Sequence, residues 1–158
     1  MTRKFFFIFI CFSIVYEIAL ASLPKVNTSN GIQYITGGIG SDESEAIIVE
    51  AKHWPILFMF SIVENGGRGI WVSNIRVIVS DSKNIPILDI TCDGPLMLLK
   101  LMPGSYSVAA NFDGVIQKRQ FDVKQDASQR ISIYWKSSLT REEENRSLNL
   151  SSAVSQGY

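Results

Sequence analysis

The fold of this chain is decided by a stretch that reads Tyr106-Ser107-Val108-Ala109-Ala110-Asn111-Phe112-Asp113-Gly114. Its larger apolar side chains fall on every second residue, which is typical of a β-strand with one face in a protein core. The Asp-Gly pair that follows suits the two positive-φ positions of a type I′ turn. A strand pattern resumes over residues 115–123. The stretch therefore predicts a β-hairpin.

Further strand patterns, separated by turn residues, lie on both sides of this hairpin. They cover residues 32–36, 56–63, 71–79, 86–92, 96–101 and 131–135. About seven short strands joined by turns predict an all-β fold consisting of a single β-sandwich.

One short helix interrupts the strands near the start of the domain. Asp42 as N-cap with Glu45 three residues later is a variant of the capping box, and apolar residues follow at helical spacing until Pro55. The sequence predicts a helix from Glu43 to about His53.

The first residues have the features of an export signal. Thr2-Arg3-Lys4 is basic, residues 5–21 are mainly apolar, and Ala19-Leu20-Ala21 is a small-residue cleavage pattern. The apolar segment is short for a membrane span and contains Glu17, which favours cleavage over a retained anchor. We expect a periplasmic or secreted protein with no membrane span after cleavage.

The expected organisation has four parts, since composition changes at each boundary. They are a signal peptide at 1–21, a flexible N-terminal arm at 22–30, a β-sandwich domain at 31–136 and a disordered polar tail at 137–158.

The segment Leu99-Lys100-Leu101-Met102-Pro103-Gly104-Ser105-Tyr106-Ser107-Val108 resembles the L-x-P-G-x-Y-x-V hairpin of carboxypeptidase regulatory-like domains. These domains are transthyretin-like, or prealbumin-like, β-sandwiches, a group that includes Cna-B-type repeats. Gly37-Gly38-Ile39-Gly40, the acidic helix and Asp93-Gly94-Pro95 also resemble parts of small exported bacterial proteins with such a domain. The resemblance covers about residues 31–135 and implies a transthyretin-like sandwich. Fold alone does not imply an activity.

Enzymes related to this fold can be compared residue by residue. Hydroxyisourate hydrolases, which are transthyretin-like, use several histidines, an arginine and a Tyr-Arg-Gly-Ser segment. His53 is the only histidine here, and residues 155–158 read Ser-Gln-Gly-Tyr. The zinc ligands of a carboxypeptidase belong to a different domain. The resemblance therefore implies neither activity.

Reactive side chains are scarce. Once residues 1–21 are removed, Cys92 is the only thiol, which excludes an intramolecular disulfide. Because His53 is also the only imidazole, a zinc site built from several Cys and His ligands is excluded as well. Cys92 shares a strand face with Leu88 and Ile90, so we expect it to be buried. An intermolecular disulfide and thiol catalysis with His53 are the alternatives. We expect no catalytic residue, no metal and no cofactor.

The net charge of the chain argues against nucleic acid as a partner. Removal of residues 1–21 leaves 13 basic and 14 acidic residues, a net charge of −1. Nucleic-acid binding needs a basic surface, so no nucleic acid is expected. The expected partner is an envelope protein or a small ligand, with a homo-oligomer as a further possibility.

The strand at 56–63 is apolar on both of its faces, and both must therefore be covered. Either the helix covers the outer face through Ile47, Ala51 and Trp54, or that face meets a partner. The candidate contact residues share large apolar or aromatic side chains, and each also has an ordinary packing interpretation. They are Trp54, Leu57, Met59, Trp71 and Tyr134.

Together these features predict an exported, non-catalytic binding or structural module of the cell envelope. An assembly subunit, joined through a sheet edge near Pro86 or through Cys92, is one alternative. A small hydrolase with a site on its loops is another, and it requires His53 or a close carboxylate pair in a cleft.

Overall fold

The structure is a computed structural model that describes residues 23–64 and 66–137, and most of these residues lie in β-strands. The strands are β1 (Asn27–Ser29), β2 (Ile32–Gly37), β3 (Ile56–Val63), β4 (Gly69–Trp71), β5 (Ile75–Ser80), β6 (Pro86–Cys92), β7 (Leu96–Leu99), β8 (Gly104–Phe112), β9 (Val115–Val123) and β10 (Gln129–Lys136). The helix α1 (Ser41–Glu50) and a 3-10 turn (Ala51–His53) connect β2 to β3. The predicted all-β class with one short helix is confirmed.

The strands form two sheets. The larger has the order β1-β2-β7-β3-β10, with β4 paired to the last residues of β3, and the smaller has the order β6-β5-β8-β9. All pairs are antiparallel except β3 and β10, which run parallel along their whole length. The described residues contain ten strands. Two of them, β1 and β4, have only three residues each and carry no alternating pattern, so the sequence did not indicate them as separate strands.

The two sheets pack face to face around one core. Phe58 of β3 meets Phe121 of β9 edge to face, with ring centroids 5.5 Å apart. Trp135 of β10 donates a hydrogen bond from Nε1 to the carbonyl oxygen of Val115, 2.8 Å away, and so links the larger sheet to the start of β9. Buried aromatic contacts of this kind stabilise a sandwich beyond the area they bury.

The predicted hairpin at 106–123 is confirmed as β8 and β9. Asp113 and Gly114 have φ angles of 49° and 77°, as a type I′ turn requires. Before the hairpin, the Tyr106 hydroxyl donates a hydrogen bond of 2.9 Å to the carbonyl oxygen of Met102 and closes the turn that precedes β8.

The start of the helix differs from the prediction. Helix α1 begins at Ser41 with Gly40 as its N-cap, and Asp42 makes no capping hydrogen bond. Glu43 instead accepts a hydrogen bond of 2.6 Å from the backbone N–H of Gly38. Glu43 therefore bonds the glycine segment that precedes the helix, and the helix starts at Ser41, two residues before the predicted start at Glu43.

Part of the N-terminal arm expected at 22–30 is a strand. Asn27–Ser29 form β1 and pair with β2. The predicted signal peptide at 1–21 lies outside the described residues, as does nearly all of the predicted tail at 137–158.

Two glycine segments touch at the end of β2. Gly94, in the turn before β7, lies so close to Gly37 that a Cβ at position 94 would overlap the Gly37 carbonyl group. Both segments were singled out in the sequence, and the close backbone approach gives a physical reason for glycine at position 94.

We predict that Gly94→Ala lowers the free energy of unfolding by about 1–3 kcal/mol, the usual cost of forcing extra atoms into a packed site. Denaturant unfolding measures the change. Gly69→Ala is the matched control, because a Cβ there meets no heavy atom within 4 Å. Equal stability of the two variants would contradict the close approach.

Candidate functional site

The outer face of the larger sheet is partly covered by helix α1. A second, smaller core lies between them, formed by Ile35, Ile47, Ala51, Trp54, Leu57, Leu96 and Leu98. Leu57 is fully buried, and Trp54 is 8 % exposed with its Nε1 donating to Glu50 at 3.2 Å. Trp54 and Leu57, both candidate contact residues, are thus packed in this small core with Ile47 and Ala51.

The rest of that outer face presents the other three predicted contact residues. Ser61 of β3 is paired with Trp71 of β4 on one side and with Tyr134 of β10 on the other. Paired residues point to the same face, and adjacent strands lie about 4.8 Å apart, so Trp71 and Tyr134 flank Ser61 about 10 Å from each other at their Cα atoms. Trp71 is 52 % exposed and Tyr134 is 47 % exposed.

Met59 connects this exposed surface to the covered part of the sheet. It lies two residues before Ser61 on the same face of β3, is half-buried, and packs against the small core under the helix. We call Met59, Ser61, Trp71 and Tyr134 the aromatic patch. Large amphipathic rings that are only half covered have area available for contact with another molecule.

Cys92 and His53 are not brought together. Cys92 has no exposed surface, and its Sγ lies 3.6 Å from the Sδ of Met97 in the core between the sheets. His53 is exposed at the end of the 3-10 turn, with Nδ1 3.3 Å from a carboxylate oxygen of Glu50. The arrangement provides no base for the thiol, and it leaves Cys92 without access to a thiol of another chain.

Burial also makes the Cys92 thiol a poor nucleophile. Desolvation, with a smaller contribution from the negative charge of Asp93, raises the pKa of Cys92 from 9.0 to about 12. The reactive species is the thiolate, which is therefore scarce at neutral pH.

Three of the four carboxylates of helix α1 accept hydrogen bonds from the chain itself. Glu43 accepts from Gly38, Glu50 accepts from Trp54, and Asp42 accepts a hydrogen bond of 3.1 Å from the hydroxyl of Ser41. The Gly38 N–H, which a phosphate would need, is thus occupied by a side chain of the protein. Across residues 23–64 and 66–137, no group of three or more His, Cys, Asp or Glu side chains is arranged to hold a metal ion.

Two cavities at one end of the sandwich were not anticipated. They have volumes of about 640 and 720 Å³, lie side by side, and share Pro55, Lys100, Leu101 and Met102. We call the pair the end groove. Its residues come from segments far apart in the sequence, so no local motif indicates it.

No protein-family model and no curated protein matches this chain. In the part of the chain that the structure describes, no helix is long and apolar enough to cross a membrane.

We predict that Cys92 does not react with a thiol reagent such as dithionitrobenzoate in the native protein and reacts fully after denaturation. The test is made in the variant Cys11→Ser, in which Cys92 is the only thiol, because Cys11 and Cys92 are the two cysteines of the chain. Rapid labelling of the native Cys11→Ser protein would contradict the burial of Cys92.

The raised pKa of Cys92 also predicts a loss of stability in alkali. The unfolded chain releases the thiol proton near pH 9 whereas the folded chain keeps it to about pH 12, so the free energy of unfolding should decrease across this interval. Denaturant unfolding at several pH values measures the slope. Cys92→Ala should show a smaller decrease, and an identical slope in both proteins would count against the assignment.

Proposed function

We propose that this protein is an exported, non-catalytic contact module of the cell envelope, which binds a protein partner through the aromatic patch. The observation that supports this most is the position of Trp71 and Tyr134. Both rings are about half exposed, on the part of the sheet that helix α1 leaves uncovered. Trp and Tyr are enriched among the residues that dominate binding energy at protein interfaces.

The scarcity of reactive groups supports a contact role over catalysis. Cys92 is buried with a raised pKa, and His53 pairs only with Glu50 among the contacts the structure gives it. A loop-borne hydrolase needs an acid, base or nucleophile within hydrogen-bond reach of a substrate. The described residues offer no such constellation around either group, so the hydrolase alternative lacks a supporting observation.

We propose further that the domain is a carboxypeptidase regulatory-like, transthyretin-like sandwich of a bacterial envelope protein. The L-x-P-G-x-Y-x-V hairpin supports this, because its tyrosine, Tyr106, closes the preceding turn through its hydrogen bond to Met102. Export rests on the sequence pattern of residues 2–21.

Assembly through a sheet edge is the second candidate function. Strand β6 is at one edge of the smaller sheet and begins at Pro86, as the sequence suggested. An edge strand can pair with a strand of another chain, although proline at its start limits such pairing. The burial of Cys92 does not support the disulfide-linked version. Sedimentation as a monomer at all concentrations would exclude self-assembly through β6.

The main proposal predicts that the double variant Trp71→Ser, Tyr134→Ser loses its partner. The immobilised full chain should retain a protein from an envelope extract, and the double variant should retain at least about tenfold less of it, because each lost anchor is worth about 2 kcal/mol. Ile85→Ser is the control, since Ile85 is also about half exposed but lies in the turn before β6.

Thermal unfolding of all three proteins checks that the variants are folded. Equal retention of the same protein by the wild type, the control and the double variant would contradict the proposal.

A further inference from the structure

The end groove has a basic half. Lys52, Lys100 and Lys124 line its walls, and they follow helix α1, strand β7 and strand β9 respectively. The ion pairs between described side chains, His53 with Glu50 and Arg76 with Asp89, include none of these lysines. Within residues 23–64 and 66–137, no carboxylate therefore lies within 4.0 Å of Lys52, Lys100 or Lys124. Three ammonium groups that line one cavity without such a carboxylate favour an anion there.

Four other polar residues line this half. Asp126 contributes a carboxylate, His53 an imidazole, Gln125 an amide and Ser128 a hydroxyl. The Ser128 hydroxyl already donates a hydrogen bond of 2.8 Å to the carbonyl oxygen of Ala51. With three lysines against one carboxylate, the local charge is positive although the whole chain is nearly neutral.

The other half of the end groove is mainly apolar. Its walls include Ile32, Pro86, Ile87 and Tyr106, and its polar residues are Asn30, Gln33 and Lys100. The Tyr106 hydroxyl is committed to Met102, so this residue offers the groove a ring and not a free donor. Burying an acyl chain against such walls is favourable by about 0.8 kcal/mol for each CH₂ group.

Met102 and Lys100 lie where the two halves meet, since both line both cavities. Met102 is 77 % exposed, so its side chain is available for contact with a bound molecule. Across the groove, Asn30 donates a hydrogen bond of 3.3 Å to the carbonyl oxygen of Ile87 and holds the two sheets together at the rim.

We propose that the end groove binds a single-chain anionic amphiphile, with the acyl chain in the apolar half and the negative head group among Lys52, Lys100 and Lys124. The basic half alone would suit a small anion, and the apolar half alone would suit an uncharged apolar molecule. Because the two cavities share lining residues, one ligand can contact the lysines and the apolar walls at the same time. Both volumes are in the range of about 300–1,000 Å³ that is typical of small-molecule sites. The proposal is independent of the aromatic patch, which is on the outer face of the larger sheet.

The test is titration of the purified full chain with decanoate, decanol and butyrate, followed by calorimetry or by the fluorescence of Trp54, which lines the basic half. Decanoate should bind most tightly, and its affinity should fall with added salt. Affinity should rise by up to about fourfold for each CH₂ added between hexanoate and decanoate, as 0.8 kcal/mol per group requires.

Two variants assign the binding to the groove. Lys100→Gln should weaken decanoate binding about fivefold and reduce the preference for decanoate over decanol, since it removes one exposed charge near the head group. Met102→Ser should weaken decanoate and decanol alike. Lys83→Gln and Ile116→Ser are the matched controls, because Lys83 and Ile116 are exposed and line neither cavity.

Three results would overturn the proposal. Equal affinity for butyrate and decanoate would mean a site for the ion alone. Equal affinity for decanol and decanoate would mean that the lysines play no part. Decanoate binding that both groove variants leave unchanged, while melting curves show them folded, would place the ligand elsewhere.

Discussion

The rest of the structure depends on the burial of strand β3 on both of its faces. Phe58 and Phe60 point into the core between the sheets, and Leu57 points the other way into the small core under helix α1. A strand of this kind is stable only if each face is covered. The smaller sheet covers one face except at Ile62, which is only partly buried, but α1 has only ten residues and covers only part of the other face.

The two candidate sites lie toward opposite ends of β3. The chain returns from the helix to β3 through Pro55, which lines both cavities of the end groove. Toward the other end of β3, Ser61 lies between the exposed rings of Trp71 and Tyr134, outside the small core under the helix.

Local patterns were sufficient to predict most of the strands, the hairpin and the presence of the helix, but not β1, β4 or the residue at which the helix begins. Alternation identified β8, and the Asp113-Gly114 pair identified the turn to β9, because both properties depend on neighbouring residues alone. The cover of Leu57 by the helix was foreseen only as one of two alternatives. The parallel pairing of β3 with β10 joins residues more than 70 positions apart, and no local pattern encodes it.

The candidate sites were predicted less completely for the same reason. Trp71 and Tyr134 were recognised as aromatic residues on strands, but their common neighbour Ser61 appears only once β4 and β10 pair with β3. Trp54 has the same residue type and is buried, since exposure is decided by the packing of α1. Lys52, Lys100 and Lys124 converge because three elements end at one side of the sandwich, a property of topology and not of spacing.

Hydroxyl-radical footprinting of the three tryptophans tests the central claim most directly. In the isolated protein, Trp71 should be oxidised much faster than Trp54 and Trp135, which are 8 % and 2 % exposed. If the protein is an envelope contact module, as we propose, the oxidation of Trp71 in the presence of an envelope fraction should fall toward the rate of the two buried residues. An unchanged rate for Trp71 in the envelope would contradict the account.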